Sequence, residues 1–150
     1  MMTTDSHDQA VPILTFLLAK QRYAFLVADV IEVVAMVNLM SVKDAPAEIL
    51  GMVNRHGMVI PVLDLRLVMG HQAGSITPAT LFVIIQYGEQ TIGAVVDEVQ
   101  QVEYIDADQL QKSTKPGKYI RGIISYRDEL MQIVNPEPLI TQYVSDIAEG

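Results

Sequence analysis

An internal repeat constrains this chain more than any other feature, because a sequence that matches itself must build one supersecondary unit twice. Gln21-Arg22-Tyr23-Ala24-Phe25-Leu26-Val27-Ala28-Asp29 lies over Glu89-Gln90-Thr91-Ile92-Gly93-Ala94-Val95-Val96-Asp97: a polar turn, an apolar strand and a closing Asp. Upstream, Leu14-Thr15-Phe16-Leu17 falls over Phe82-Val83-Ile84-Ile85. Farther on, GMVNRHGMVIPVLD (51–64) lies over GIISYRDELMQIVN (122–135), two apolar runs joined by a tight polar turn. The offset grows from 68 to 71 between these blocks, which a loop insertion explains.

Short apolar runs carry both copies: 13–18, 23–27, 31–37, 51–55 and 58–65, then 80–87, 91–96, 99–105, 119–125 and 130–134. Strands this short, punctuated by Gly, Pro and polar residues, predict a barrel or sandwich. Each half closes on a short helix. DLRLVMG (64–70) starts from a cap at Asp64 and stops at Gly70, and NPEPLITQYV (135–144) starts from Asn135 with Pro136 in the first helical position. The pattern predicts a mainly β chain, a duplicated small barrel of about five strands and one helix per half. A single sandwich of merely similar strands is the alternative. Residues 70–79, GHQAGSITPA, form the seam between halves. Residues 1–10 lack periodicity and read as a mobile tail, and 142–150 read as a C-terminal tail.

Composition narrows function by exclusion. A formal charge of −8 repels nucleic acid and anionic lipid. Only 6% of residues are aromatic, too few for base-stacking platforms. No apolar run is long enough to cross a bilayer as a helix, and the polar, acidic start has no signal-peptide pattern, so a cytoplasmic protein is expected. Without cysteine there is no disulfide, thiolate ligand or thiol nucleophile. His7, His56 and His71 share no metal-binding spacing, the serines occupy no nucleophile elbow, and GHQAGS and STKPGK lack a phosphate-loop context. Asp97-Glu98 and Asp128-Glu129 are adjacent, point to opposite faces of a strand, and read as solvated turns. No catalytic, metal or cofactor site is expected.

What remains is a set of polar groups beside buried strands. Arg55 and His56 stand at a hairpin tip where Gly57 can take positive φ, a position suited to recognition. Arg66, two residues after Asp64, reads as a structural ion pair or carbonyl contact. Pro61 inside an apolar run suggests an edge strand or a bulge, since proline donates nothing to a ladder. An enzyme or ligand-binding barrel using Asp64, Arg66 and His56 would need those three around one deep polar pocket.

GMVNRHGMVIPVLDLR (51–66) resembles the signature of CheW-like domains, G-(apolar)₂-N-x-R-G-x-(apolar)₂-P-(apolar)₂-D-L-R, with Asn54, Gly57, Pro61, Asp64 and Arg66 at its structural positions. RYAFLVADVIEVV (22–34), YGEQTIGAVVDEVQQV (87–102) and YIRGIISYRDELMQIVN (119–135) resemble other segments of that family, and the likeness covers about 11–141. It implies two intertwined five-stranded SH3-like barrels, the first over about 11–70 and the second over about 79–141. It implies a non-catalytic chemotaxis scaffold without cofactors, coupling the cytoplasmic tip of a chemoreceptor to the regulatory domain of a CheA-type histidine kinase. Service in a pilus-motility or other non-flagellar chemosensory system is the variant, and self-association through related barrels is a further implication. The resemblance places Val30, Arg55, His56, Leu81, Val99 and Val102 in a receptor-facing groove, and Glu32, Asn38 and Met40 on the kinase-facing side. The family's usual Arg before the turn glycine is His56 here, with Arg55 one place earlier. Three readings stand open: Arg55 substitutes, His56 makes a weaker pH-dependent contact, or the protein serves an unusual array.

Overall fold

The structure, a computed structural model, describes residues 9–149. Ten strands appear where the apolar runs predict them: β1 Ala10–Leu18, β2 Gln21–Leu26, β3 Val30–Ala35, β4 Ile49–Arg55, β5 Met58–Asp64, β6 Leu81–Tyr87, β7 Gln90–Val96, β8 Glu98–Asp106, β9 Ile120–Tyr126 and β10 Glu129–Val134. Three α-helices accompany them: α1 Leu65–Val68, α2 Ala107–Gln111 and α3 Pro136–Glu149. Asp64 and Asn135 cap α1 and α3 as expected, their side-chain oxygens accepting from the backbone N–H of Arg66 and Glu137. The sequence reading missed α2, capped by Asp106. It also ended α3 too soon: Ile140, Tyr143, Val144 and Ile147 continue one apolar stripe, so 142–149 is helix rather than tail. Ala10 already belongs to β1. The rest of the expected N-terminal tail, residues 1–8, lies outside the described residues, as does Gly150.

Four two-residue hairpins organise the strands, closed by the pairs Leu18↔Gln21, Arg55↔Met58, Tyr87↔Gln90 and Tyr126↔Glu129. Positive φ at Ala19 and Lys20, at His56 and Gly57, and at Arg127 and Asp128 gives three type I′ turns, whose twist suits the flanking strands. The two halves of the chain do not each build their own sheet. One sheet has the order β8-β1-β2-β10-β9 and the other β3-β6-β7-β5-β4. The orders are identical once β1 to β5 are set equivalent to β6 to β10. Each sheet thus takes one hairpin from one half and three strands from the other, joined by the parallel pairs β2·β10 and β5·β7. Boundaries of 11–70 and 79–141 therefore describe the repeat, not the sheets.

The hairpin closures also correct the repeat's first register. Leu18 corresponds to Tyr87, an offset of 69 rather than 68, while the second block keeps 71. A one-residue slip exchanges faces. At 69, Leu14, Phe16 and Tyr23 fall on Val83, Ile85 and Ile92, all six in one core.

Three apolar cores result. Ile13, Ile105, Ile124 and Met131 fill the interior of the β1 sheet, and Phe82, Val34, Val53 and Ile60 that of the β6 sheet. The largest core lies between the sheets, where Phe16 stacks on Phe25 with ring centroids 4.7 Å apart and α3 adds Leu139, Ile140 and Tyr143. Each sheet curls until its edge strands meet. Arg55 at the end of β4 donates to Glu32 on β3, and at the repeat-related places Tyr126 of β9 donates to Glu103 of β8.

Candidate functional site

Alternation along β3 turns Glu32 and Val34 inward and leaves Ile31 and Val33 facing solvent, 47% and 41% exposed. The apolar face continues past the strand through Val37, at 48%, and Met40, at 65%. The loop after β3 crosses the start of β4, where Met40 and Met52 exchange backbone hydrogen bonds of 2.9 and 2.8 Å. Gly51 makes that crossing fit: a Cβ there would lie 2.6 Å from the Met40 carbonyl oxygen and 2.9 Å from the Leu39 Cβ. Met36, Val37, Asn38 and Leu39 then form one wall of an open groove of about 670 Å³, with Ile76, Thr77 and Pro78 of the seam segment opposite and Leu50 at its side.

Of the three kinase-facing positions implied by the resemblance, Asn38 lines this groove and Met40 stands exposed beside it. Glu32 is turned toward Arg55. The receptor-facing positions do not form one cluster. Val30 and Val99 both pack against the core between the sheets. Leu81 pairs with Ala35, at the opposite end of the β3·β6 ladder from Val30, and Val102 sits exposed on β8 opposite Leu14. Arg55 is committed to Glu32, which joins a residue from each implied set. His56 occupies the turn itself, exposed, with φ of 54°. Asn54 accepts from the Gly57 N–H at 3.0 Å and holds the turn.

Asp64 and Arg66 answer the question of an ion pair. The guanidinium, 4% exposed, donates through Nε to Asp64 Oδ1 at 2.8 Å and through Nη2 to Asp64 Oδ2 at 3.0 Å. Its Nη1 reaches Asp97 Oδ1 at 3.0 Å, and Nη2 reaches the Gly74 carbonyl at 3.4 Å. The hydrogen bonds that the guanidinium donates to Asp64 lead the causes that raise the Arg66 pKa above its ordinary value. Asp97 is exposed at the bend between β7 and β8, as a solvated turn residue would be, but it is also engaged by these contacts. Its other oxygen accepts from the Ala19 N–H at 2.7 Å, holding a left-handed non-glycine turn residue at the place where the repeat has Gly88. Sequence spacing could not show Asp97 or Gly74 as partners of Arg66, since each is brought in by tertiary folding.

Pro61 is on neither an edge strand nor a bulge. β5 lies inside its sheet, and the parallel ladder with β7 starts only at Val62, so proline sits just before that pairing begins. Asp64 and His56 lie at opposite ends of the β5 hairpin arm, roughly 20 Å of strand apart. Among the described residues, that separation keeps His56 from sharing one pocket with Asp64 and Arg66. Tyr23 and His71 share a 2.9 Å hydrogen bond, and no set of three or more metal-ligating side chains is gathered among the described residues. Among the same residues, no helix is long and apolar enough to cross a membrane.

Comparison with known proteins agrees with this geometry. The CheW-like domain matches residues 12–144. The chain is 25% identical to the chemotaxis protein CheW of Klebsiella aerogenes over 133 residues, covering 85% of this chain and 80% of that one. It is 22% identical to the chemotaxis protein CheW of Helicobacter pylori, covering 91% and 85%. The crystal structure of the scaffolding protein TtCheW from Thermoanaerobacter tengcongensis superposes with a TM-score of 0.75 at 27% identity, covering 83% of this chain and 88% of that one.

Proposed function

The chain belongs to the CheW-like domain family, whose members are non-catalytic scaffolding proteins of chemotaxis, and from that premise we propose that it couples the cytoplasmic tip of a chemoreceptor to the regulatory domain of a CheA-type histidine kinase. One observation carries the reading most directly: the exposed apolar residues Ile31 and Val33 on β3, continued by Val37 and Met40 in the loop after it, beside the groove of Asn38 and Ile76. Exposed apolar side chains on a rigid strand, rimmed by few charges, suit a protein partner and offer nothing to a small polar substrate. In this reading Asn38, Met40 and the rim residue Glu32 face the kinase. On the receptor side the exposed Val102 and His56 make the contact, with Arg55 beside His56; Val30 and Val99 support it from the core, and Leu81, at the far end of the β3·β6 ladder from Val30, stands apart. The Arg55–Glu32 pair gives the two sides a shared electrostatic element, so an anionic receptor group that draws Arg55 away leaves Glu32 free. The protein works in the cytoplasm, beside receptor arrays that hold it at the membrane.

The test is binding in solution. Purified protein is run in gel filtration with the regulatory domains of a panel of CheA-type kinases, from flagellar and pilus-motility systems, with and without a receptor-tip fragment. Co-elution with at least one domain is expected, and Met40→Asp should weaken it; co-elution with none of the panel refutes the adaptor reading. His56→Arg tests the receptor side separately, with tighter binding of the tip fragment expected if the turn residue contacts it.

A further inference from the structure

The seam segment after α1 is almost wholly exposed, yet it forms one wall of the groove beside Asn38. Its ends are tied. The His71 N–H donates to the Arg66 carbonyl at 2.8 Å, and the Thr80 carbonyl accepts from the Met36 N–H at 2.8 Å. Between these ties the chain has Gly74, whose carbonyl accepts from Arg66 Nη2 and whose α-carbon presses on the same guanidinium: a Cβ at Gly74 would lie 2.4 Å from Arg66 Nη1. Two residues later come Ile76, Thr77 and Pro78, the groove wall itself.

The guanidinium is not there to pair strands. The second half builds the same five strands with Asn135 where the first has Asp64 and Glu137 where it has Arg66. A buried charge of this kind is expensive unless every donor is answered, and here the fork is met by Asp64 and Asp97 with the Gly74 carbonyl taking a further contact. The first two partners belong to the strand frame, at the end of β5 and between β7 and β8. Gly74 belongs to neither strand nor helix.

From this arrangement we propose that Arg66 is a positioning residue for partner docking: it clamps the seam at Gly74 and so sets Ile76–Pro78 against Met36–Leu39 as the second wall of the groove. This rests on the adaptor reading for the identity of the partner, a kinase regulatory domain, but not for the clamp. Gly74 touches the guanidinium and lies outside the groove lining, which makes it the better place to probe.

Three variants test it: Gly74→Ala, Arg66→Lys and the pair combined. Lysine keeps the positive charge toward Asp64 and Asp97 but has no second terminal nitrogen to meet Gly74 or clash with a Cβ. Kinase-domain affinity is read by calorimetry, backbone exchange over 72–80 by hydrogen–deuterium mass spectrometry, and folding by the thermal midpoint. Gly74→Ala is expected to weaken binding about fivefold or more and to speed exchange over 72–80, with the strand amides unchanged. In the Arg66→Lys background the same alanine should cost nothing further. The proposal is overturned if Gly74→Ala binds and exchanges as the parent does, or if its cost is the same in both backgrounds, since the clash with Arg66 then has no part in it. If the parent protein binds no kinase domain, the adaptor reading fails alone; faster exchange over 72–80 in Gly74→Ala still upholds the clamp, and unchanged exchange refutes it.

Discussion

Replacing Phe16 by alanine tests whether the exchange of strands makes the molecule a single cooperative unit. Phe16 is fully buried on β1, with Phe25 stacked at 4.7 Å and Tyr23 at 5.9 Å. Removing such a ring costs about 3–5 kcal/mol in lost transfer energy and residual cavity, and the two stacked neighbours place this site toward the upper end. Against a total of about 5–15 kcal/mol for a domain, that is a large share. At 2–4 °C per kcal/mol for a chain of this size, the midpoint should fall by roughly 6–20 °C. Phe16 belongs to the β1 sheet, but its ring lies in the core shared with Val83, Ile85 and Ile92 of the other sheet. Urea unfolding followed by far-ultraviolet circular dichroism should therefore remain one transition, with the slope of the parent. Hydrogen exchange should show protection lost equally at the amides of β6 and β7 and at those of β1 and β2. A biphasic transition, or a variant in which the β3-β6-β7-β5-β4 sheet keeps its full protection while the other loses it, would refute the reasoning.

Other consequences follow from single contacts. Asp64→Ala strands the buried Arg66 guanidinium and should cost about 3–5 kcal/mol in urea unfolding, more than Arg22→Ala, whose partner Glu129 is largely exposed. Ala19→Gly relieves a left-handed backbone at φ 50° and should raise stability by about 1 kcal/mol, read as a shift in urea midpoint. Burial raises the Asp29 carboxyl pKa above its ordinary value, with Arg121 only partly opposing it. The folded state thus binds the proton more tightly than the unfolded one, so this group's contribution is favourable below the ordinary carboxylate pKa and is lost as pH rises through the raised value. Asp29→Asn should accordingly gain stability over the parent near neutral pH and lose that advantage toward pH 3, in denaturation curves taken across the range. Gly51→Ala forces the Met40 carbonyl away from a Cβ 2.6 Å distant and should cost about 1–3 kcal/mol, with exchange increased at Leu39 and Met40.

The strands and their hairpins were legible because each apolar run is short and ends in residues that turn. The helix starts were legible from Asp64 and Asn135. Which strands share a sheet was not. The repeat says that β2 resembles β7, but the partners that settle topology are Val62 with Gly93 and Ile133 with Ala24, far apart in the chain and unmarked by any local signal. The first register went astray for a physical reason. Matching Asp29 to Asp97 aligns two acids that do different work: Asp29 faces Arg121, whereas Asp97 holds Arg66 and the Ala19 turn. The hairpin turns, with Ala19 over Gly88, fix the true offset. Pro61 misled because a proline excludes a hydrogen bond on one side only, and the ladder with β7 begins one residue later. In the candidate site, Gly57 and Asn54 announced the turn, but the reach of Arg55 to Glu32 depends on the curl that brings β3 beside β4.

That exchange of strands has a mechanical meaning. Pulling one half of the chain away from the other requires drawing β1 and β2 out from between β8 and β10, and β6 and β7 out from between β3 and β5, because the first hairpin of each half is gripped on both flanks by strands of the other. Two interlocked hands resist separation in the same way, without either grip being strong. A tug delivered at one face is carried through covalent chain to the opposite face, so the molecule transmits load as a rigid link rather than absorbing it as a hinge.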